Sequence, residues 1–405
     1  MPPEASLQTR KKIYQSLCYV LSDRADQVAW DEFTPADWDL FSQMADREGV
    51  APLMYWKLKD SPVAVPPSTF NFLRSTYYQT LAQNTLMYQE LERILKALDE
   101  AGIPVIVLKG AALAATVYED IGLRPMGDLD LLVHRQDFEK AEQIVRSVGY
   151  EPTRPELFPG INRKLAHEIS LVGGKGGNTT VELHWGIIAG DNDQRSPEMA
   201  RVWEQTEVWR ARGHVLVLSP IMTILYLSAH QILQHGSDQF RLIWLYDIHL
   251  LFRCNGEFLD YDQLLNQAHE LHWSSTLFET MERTQERFGT PVENGVFNQL
   301  ILEEEKAKNF EGKKTRPGQT RSEKILERMA YLDLQSRVIW VLAKIFPSPD
   351  HMKWHYNPQP AWLWPIYYPY RWVDISIDIL MTGILRVKDW VEAGDRSGIH
   401  PKQGK

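Results

Sequence analysis

Asp128 and Asp130 stand at alternate positions in the run Gly127-Asp-Leu-Asp-Leu-Leu-Val133. This pattern predicts a strand over 128–133, with both carboxylates on one face and Leu129 and Leu131 pointing into a core. Two carboxylates side by side on a rigid strand repel each other, and a divalent cation between or beside them is the simplest way to hold the pair. A third acid follows. Val181-Glu-Leu-His-Trp185 reads as a second short strand, approached from Glu168-Ile-Ser-Leu-Val172 through the glycine turn Gly173-Gly-Lys-Gly-Gly177. That is a hairpin pattern with a longer loop. Glu182 lies there on the polar face beside Thr180 and His184. Asp128, Asp130 and Glu182 are therefore the candidate metal ligands.

The elements that must position these acids come just before them. Val105 to Leu108 is an apolar run of strand type, Lys109-Gly110 ends it, and Ala111 to Tyr118 has helix formers at helical spacing. A turn glycine, Asp-x-Asp on one strand and a single acid on a later strand resemble the nucleotidyltransferase superfamily, with its polymerase-beta-like fold. A bacterial family of uncharacterised nucleotidyltransferases is a closer match. The resemblance is carried by Lys109-Gly110 before the helix, Tyr118 and Arg124 before Asp128-Leu-Asp-Leu-Leu-Val133, and Leu183-His-Trp185 after the last acid. It runs over most of the chain, with its specific motifs between Ile103 and Trp185.

The resemblance implies an enzyme that moves a nucleoside monophosphate from an NTP to an acceptor and releases pyrophosphate. Asp128, Asp130 and Glu182 are its implied catalytic acids, holding Mg²⁺, with Mn²⁺ as the alternative ion. Two ions about 3.5–4 Å apart can clamp both the attacking and the leaving oxygens of such a transfer. Asp128 and Asp130 are the expected bridging ligands, and Glu182 the ligand nearer the acceptor. Gly110 lets backbone N–H groups approach phosphate oxygens at a helix start, which favours anions. The superfamily has Ser or Gly next; Ala111 brings no hydroxyl, and Lys109 is expected to supply a point charge to the β- or γ-phosphate. Arg124 either contacts the triphosphate or forms a structural ion pair. Lys109, Gly110, Ala111 and Arg124 form the expected nucleotide-binding set.

A second constellation is helical. His230 and Gln234 share a helix face, and Asp247 lies in the apolar run Leu242-Ile-Trp-Leu-Tyr-Asp-Ile-His-Leu-Leu251. A buried Asp needs a partner. Asp247 clamped to His230 or Arg241 is the structural reading; His184, His230 and Asp247 lining an acceptor pocket is the functional one. The acceptor is a small hydroxyl or phosphate compound, or a peptide or protein side chain. Family genes that accompany specialised peptide biosynthesis keep the peptide in view. The rival readings are a catalytically silent nucleotide binder of the same fold and a partner-docking protein using its aromatic tail.

The chain of 405 residues is expected to be α+β, with a small mixed-sheet nucleotidyltransferase core at 102–190. An N-terminal helical region at 1–101 and a C-terminal one at 191–405 flank it, the latter with a mobile linker near 309–324. Within 1–101, Thr34-Pro-Ala-Asp37 is a helix start, and a long helix over 68–101 carries an apolar stripe including Phe72, Leu73, Tyr77, Leu86 and Leu91. Residues 150–163 read as a loop, and the chain from Pro197 onward as helical. The net charge of −9 argues against an extended nucleic-acid footprint. Two distant cysteines, Cys18 and Cys254, suggest a reducing compartment. The absence of a signal-peptide pattern or an uncharged membrane-length stretch gives a cytoplasmic expectation with no membrane contact. Oligomeric state is not legible.

Overall fold

The computed structural model describes residues 6–158, 160, 166–188, 199–209, 215–236, 240–256, 258–292, 295–297, 300, 334–373 and 375–376. The chain divides into two compact units, 1–153 with 167–314, and 154–166 with 315–405. The linker expected near 309–324 lies outside the described residues.

The first unit opens with helices α1 (Leu7–Leu21), α2 (Pro35–Arg47) and α3 (Ala51–Leu58). Thr34 caps α2 reciprocally: its hydroxyl accepts from Asp37 N–H, and the Asp37 carboxylate accepts from Thr34 N–H. That satisfies two of the N–H groups a helix start leaves unpaired. Helix α4 (Pro67–Glu100) is the long helix expected from the sequence. Its buried stripe runs through Leu73, Tyr77, Thr80, Asn84, Tyr88, Leu91, Leu95 and Leu98. Phe72 and Leu86, expected in that stripe, face outward at 40% and 61% exposure.

The sheet has the strand order β3-β4-β5-β2-β1-β7-β6. Its strands are β1 (Ile106–Val107), β2 (Asp128–Leu132), β3 (Tyr150–Pro152), β4 (Glu168–Gly173), β5 (Thr179–His184), β6 (Thr206–Val208) and β7 (Leu216–Leu218). β2 runs parallel to β5 and antiparallel to β1, while β4 and β5 form the hairpin. Residues 150–163, read as a loop, contribute edge strand β3, where Pro152 is tolerated because an edge position need not donate to the ladder. β6 and β7 extend the sheet past residue 190, inside a stretch read as helical.

Between the strands lie α5 (Lys109–Thr116) and α6 (Phe138–Ser147). After the sheet core come α7 (Met199–Glu204), α8 (Pro220–His230), α9 (Leu242–Asn255), α10 (Tyr261–Glu270) and α11 (Ser274–Phe288). A short π-helical turn, Gln231–His235, ends α8. One core joins the two sets of elements: Ile106, Leu113, Leu132, Ile224, Leu225, Leu245 and Ile248 are all buried in it. The architecture is a mixed α+β fold with a helical region on each side of the sheet segments.

In the second unit, α12 (Leu334–Ile345) is followed by α13 (Pro349–Tyr356), capped by Ser348, whose hydroxyl accepts from His351 N–H. Ser348 N–H donates to Leu157 O, which ties the 154–166 segment to this unit. Tyr356 stacks on Tyr367, and Trp362 is 72% exposed. Among the described residues no helix is long and apolar enough to cross a membrane.

Candidate active site

Strand register places the acids. Asp130 lies opposite Glu182 on the adjacent parallel strand, Asp128 opposite Thr180, and Leu132 opposite His184. Across the hairpin, Ser170 faces Glu182 and Glu168 faces His184. Because side chains alternate, Asp128, Asp130, Glu182, His184 and Glu168 all belong to one sheet face. Leu129 and Leu131 are fully buried on the other, as the alternation predicts.

Lys109 closes the cluster. Its Nζ is 2.8 Å from Asp130 Oδ1 and 3.9 Å from Glu182 Oε2. Its backbone has φ +43°, the left-handed region that a non-glycine residue rarely adopts. Such a conformation costs on the order of 1–3 kcal/mol and persists only where its surroundings hold it. Here the ion pair to Asp130 does so, at the junction from β1 into α5.

The electrostatics are unbalanced. Burial and then the Asp130 charge push Asp128 up to about 6. Burial, Glu168 and Asp130 push Glu182 up to about 8. Asp130 itself is held well below the carboxylate range: burial opposes this, but the Lys109 charge and the His184 hydrogen bond prevail. His184 lies with Nε2 3.0 Å from Asp130 Oδ1, and burial lowers its pKa, which keeps it neutral. Four carboxylates, Asp128, Asp130, Glu168 and Glu182, thus surround one ammonium. Asp130 Oδ2 is buried and accepts no hydrogen bond among the described residues. A charged acceptor buried without a donor is costly, and a cation satisfies it. The donor atoms of Asp130, Glu182 and His184 lie within 4.8 Å of one another; a second such group is His167, Glu168 and His184. Asp128 belongs to neither group, although it feels the Asp130 charge and its own charge is felt by Glu182. The carboxylate oxygens suit a hard divalent ion such as Mg²⁺.

Arg124 has a different setting. Its Nε and Nη2 donate to Asp247 Oδ1 and Oδ2 at 2.9 and 2.8 Å, and Tyr118 Oη donates to the same Oδ1 at 2.6 Å. Asp247 is 1% exposed, and its partners are Arg124 and Tyr118 rather than His230 or Arg241. The loop carrying Arg124 is fastened by Asn84, buried in the middle of α4, whose amide donates to Arg124 O at 2.8 Å. Gly110 is required here by close approach: a Cβ at that position would meet Arg124 Nη1 at 2.7 Å. The positive φ of this turn falls on Lys109, not on Gly110. Ala111 is fully buried, and its carbonyl accepts from Tyr88 Oη.

His230 sits at the end of α8, its ring against Tyr226 and His235, and burial, then the Lys109 charge, holds its pKa well below the usual value. Tyr226, His167 and Glu168 complete the surroundings and were not singled out by sequence. The Tyr226 hydroxyl is buried with no aligned partner among the described residues, and it feels the Lys109 charge. Glu168 was legible in principle. Counting back from the Gly173–Thr179 pair at the hairpin turn puts Glu168 opposite His184. Tyr226 gives no local signal, because its position depends on how α8 packs.

The class of protein comes from the sequence comparison. Residues 34–289 match the family described as "Uncharacterised nucleotidyltransferase", and the chain belongs to that family. A search of curated proteins finds no match. Among solved structures, the antibiotic-resistance factor ANT(2'')-Ia is similar at 14% identity, over 57% of this chain and 100% of that one, with a TM-score of 0.32. That likeness is too slight to bear on the site.

Proposed function

We propose that this protein is a magnesium-dependent enzyme that transfers a nucleoside monophosphate from an NTP to a small-molecule or peptide acceptor. The observation that carries the reading is Asp130 paired in register with Glu182, one Asp130 oxygen buried and unpaired, beside the Lys109-Gly110 entry into α5. Asp128, Asp130 and Glu182 are the residues that would hold Mg²⁺. When bound, that ion offsets the charge of the triphosphate and of the three acids.

The chain's own groups do the rest. Lys109, 2.8 Å from Asp130, is the positive charge that would meet the β- or γ-phosphate. Gly110 and Ala111 offer backbone N–H groups at the start of α5. Arg124 acts on the site indirectly: fixed by Asp247, it packs against Gly110 and sets the turn. The acceptor oxygen attacks the α-phosphorus, the bond to the β-phosphate oxygen breaks, and pyrophosphate leaves. Glu182, the more exposed of the two carboxylates in the Asp130, Glu182 and His184 group at 22% against 1% side-chain exposure, takes the acceptor's proton. His184 orients Asp130, and His230 with Tyr226 walls the Lys109 side.

The test is to incubate the protein and Mg²⁺ with each of four α-labelled NTPs, with and without cell extract, and to follow pyrophosphate and labelled product. One NTP should give both. Nucleotide that binds and yields neither would make the protein a silent binder and overturn the enzymatic reading.

A further inference from the structure

Glu168, His167 and His184 form a cluster that nucleotidyl transfer leaves unexplained. His184 lies between two carboxylates, with Nε2 3.0 Å from Asp130 Oδ1 and Nδ1 3.1 Å from Glu168 Oε2. A neutral imidazole carries one N–H. Given to Asp130, it leaves Nδ1 bare. Nδ1 is indeed buried without an aligned hydrogen bond, in a residue that is 1% exposed. His167 Nε2 approaches the same Glu168 oxygen at 3.2 Å. Two ring nitrogens and a carboxylate oxygen thus converge within 4.8 Å.

We propose that His167 Nε2, Glu168 Oε2 and His184 Nδ1 bind a second divalent ion, of the nitrogen-preferring Zn²⁺ class, next to the carboxylate site. Tetrahedral Zn²⁺ with bonds of about 2.0–2.2 Å sets its ligand atoms roughly 3.3–3.5 Å apart. Two of the three separations, 3.1 and 3.2 Å, already approach that. Two imidazoles with one carboxylate select Zn²⁺ over Mg²⁺, which prefers an all-oxygen shell. Asp130 then completes a carboxylate–histidine–metal series, the usual support for a ligating histidine. The Gln234 amide lies 3.1 Å from His167 Nε2, and turning it presents its oxygen as a fourth ligand. The ion would clasp β4 to β5 and fix His184 in the tautomer that donates to Asp130. This assignment does not depend on the nucleotidyl-transfer reading.

Chelator-stripped full-length protein, held in excess Mg²⁺, is titrated with Zn²⁺ by calorimetry, and with Co²⁺ by visible absorption. Wild type is expected to take one equivalent of Zn²⁺ and to give a tetrahedral Co²⁺ band. His167→Asn and Glu168→Gln, checked for folding by circular dichroism, should each weaken Zn²⁺ at least about tenfold and lose the band. Asp128→Asn should keep both. Failure of folded wild type to bind Zn²⁺ overturns the proposal, whatever the variants do. So does a Zn²⁺ equivalent that survives His167→Asn and Glu168→Gln but disappears in Asp128→Asn, since the ion would then sit among the oxygen ligands.

Discussion

Two buried carboxylates in the first unit meet opposite fates. Asp247 on α9 has both oxygens engaged, by the forked guanidinium of Arg124 and by the Tyr118 hydroxyl. Asp130 on β2 has one oxygen shared between Lys109 and His184 and the other without a donor, with three more acids around it. Each is 1% exposed, so burial alone does not separate them. The balance of charge and hydrogen bonds does. A closed, matched cluster holds elements together; an unmatched one leaves room for a ligand of opposite charge. The two are linked, because Arg124 also fills the space that Gly110 leaves open at the turn before the unmatched cluster.

Breaking the matched cluster gives the largest expected effect. Arg124→Leu strands the Asp247 charge in the core and should cost about 3–5 kcal/mol of folding free energy. Adding Asp247→Leu removes the stranded charge and should recover most of that loss. Denaturant unfolding of the two variants decides the matter. If the double variant is no more stable than the single one, Asp247 is not held as a charge by Arg124. At the unmatched cluster the order reverses. Asp130→Asn should lower turnover roughly a hundred- to thousandfold, about 2.7–4 kcal/mol of transition-state stabilisation, while the melting temperature falls less than in Arg124→Leu, since the lost Lys109 pair is offset by relief of the repulsion that raises Asp128 and Glu182. A large drop in melting temperature would mean that Asp130 is structural like Asp247.

The contrast also explains what the sequence could show. Asp128-x-Asp130, the Glu182 hairpin and the Thr34 capping box depend on alternation, turn residues or spacing within a few positions, and these are local signals. The Arg124–Asp247 pair joins residues 123 positions apart, and nothing near either one identifies the partner. The same holds for Tyr226, brought toward Lys109 by the packing of α8. β6 and β7 have three residues each, too few to establish an alternation against the helical sequence around them. His167 and Glu168 were within reach of hairpin counting, but a reading centred on Asp-x-Asp looks to the strand on one side of β5 and overlooks the other.

Lys109 sharpens the comparison from the cation's side. In Lys109→Met the apolar stem stays and the charge goes. Loss of one charge-assisted contact should weaken NTP binding about ten- to a hundredfold, roughly 1.5–3 kcal/mol. Wild type should bind NTP more tightly with Mg²⁺ than without it. Titration calorimetry on both proteins, with and without the ion, separates the two contributions. Unchanged affinity in Lys109→Met would make the lysine a counter-ion for Asp130 alone.

The smallest effect tests whether a half-matched buried group reports itself through pH. His249 on α9 is 3% exposed, and its Nδ1 lies 2.9 Å from Thr290 Oγ1. That hydroxyl spends its own proton on Thr284 O, so it accepts from Nδ1–H. Nε2 is then the bare nitrogen, buried with no partner among the described residues, with the Tyr246 and Phe288 rings beside the imidazole. Protonation would create an N–H there with no acceptor. Burial, followed by the Arg253 charge, lowers the pKa of His249 to about 4. The unfolded chain takes up this proton below about 6.5 and the folded chain does not until about 4, so this contribution to stability falls as pH drops through that window. Between pH 7 and pH 5 wild type should lose about 1–2 kcal/mol more than His249→Phe, which has nothing to protonate at that position. Unfolding curves of both proteins at the two pH values measure the difference. Parallel losses would show that folded His249 takes up its proton like an ordinary histidine, and that the bare nitrogen has found an acceptor.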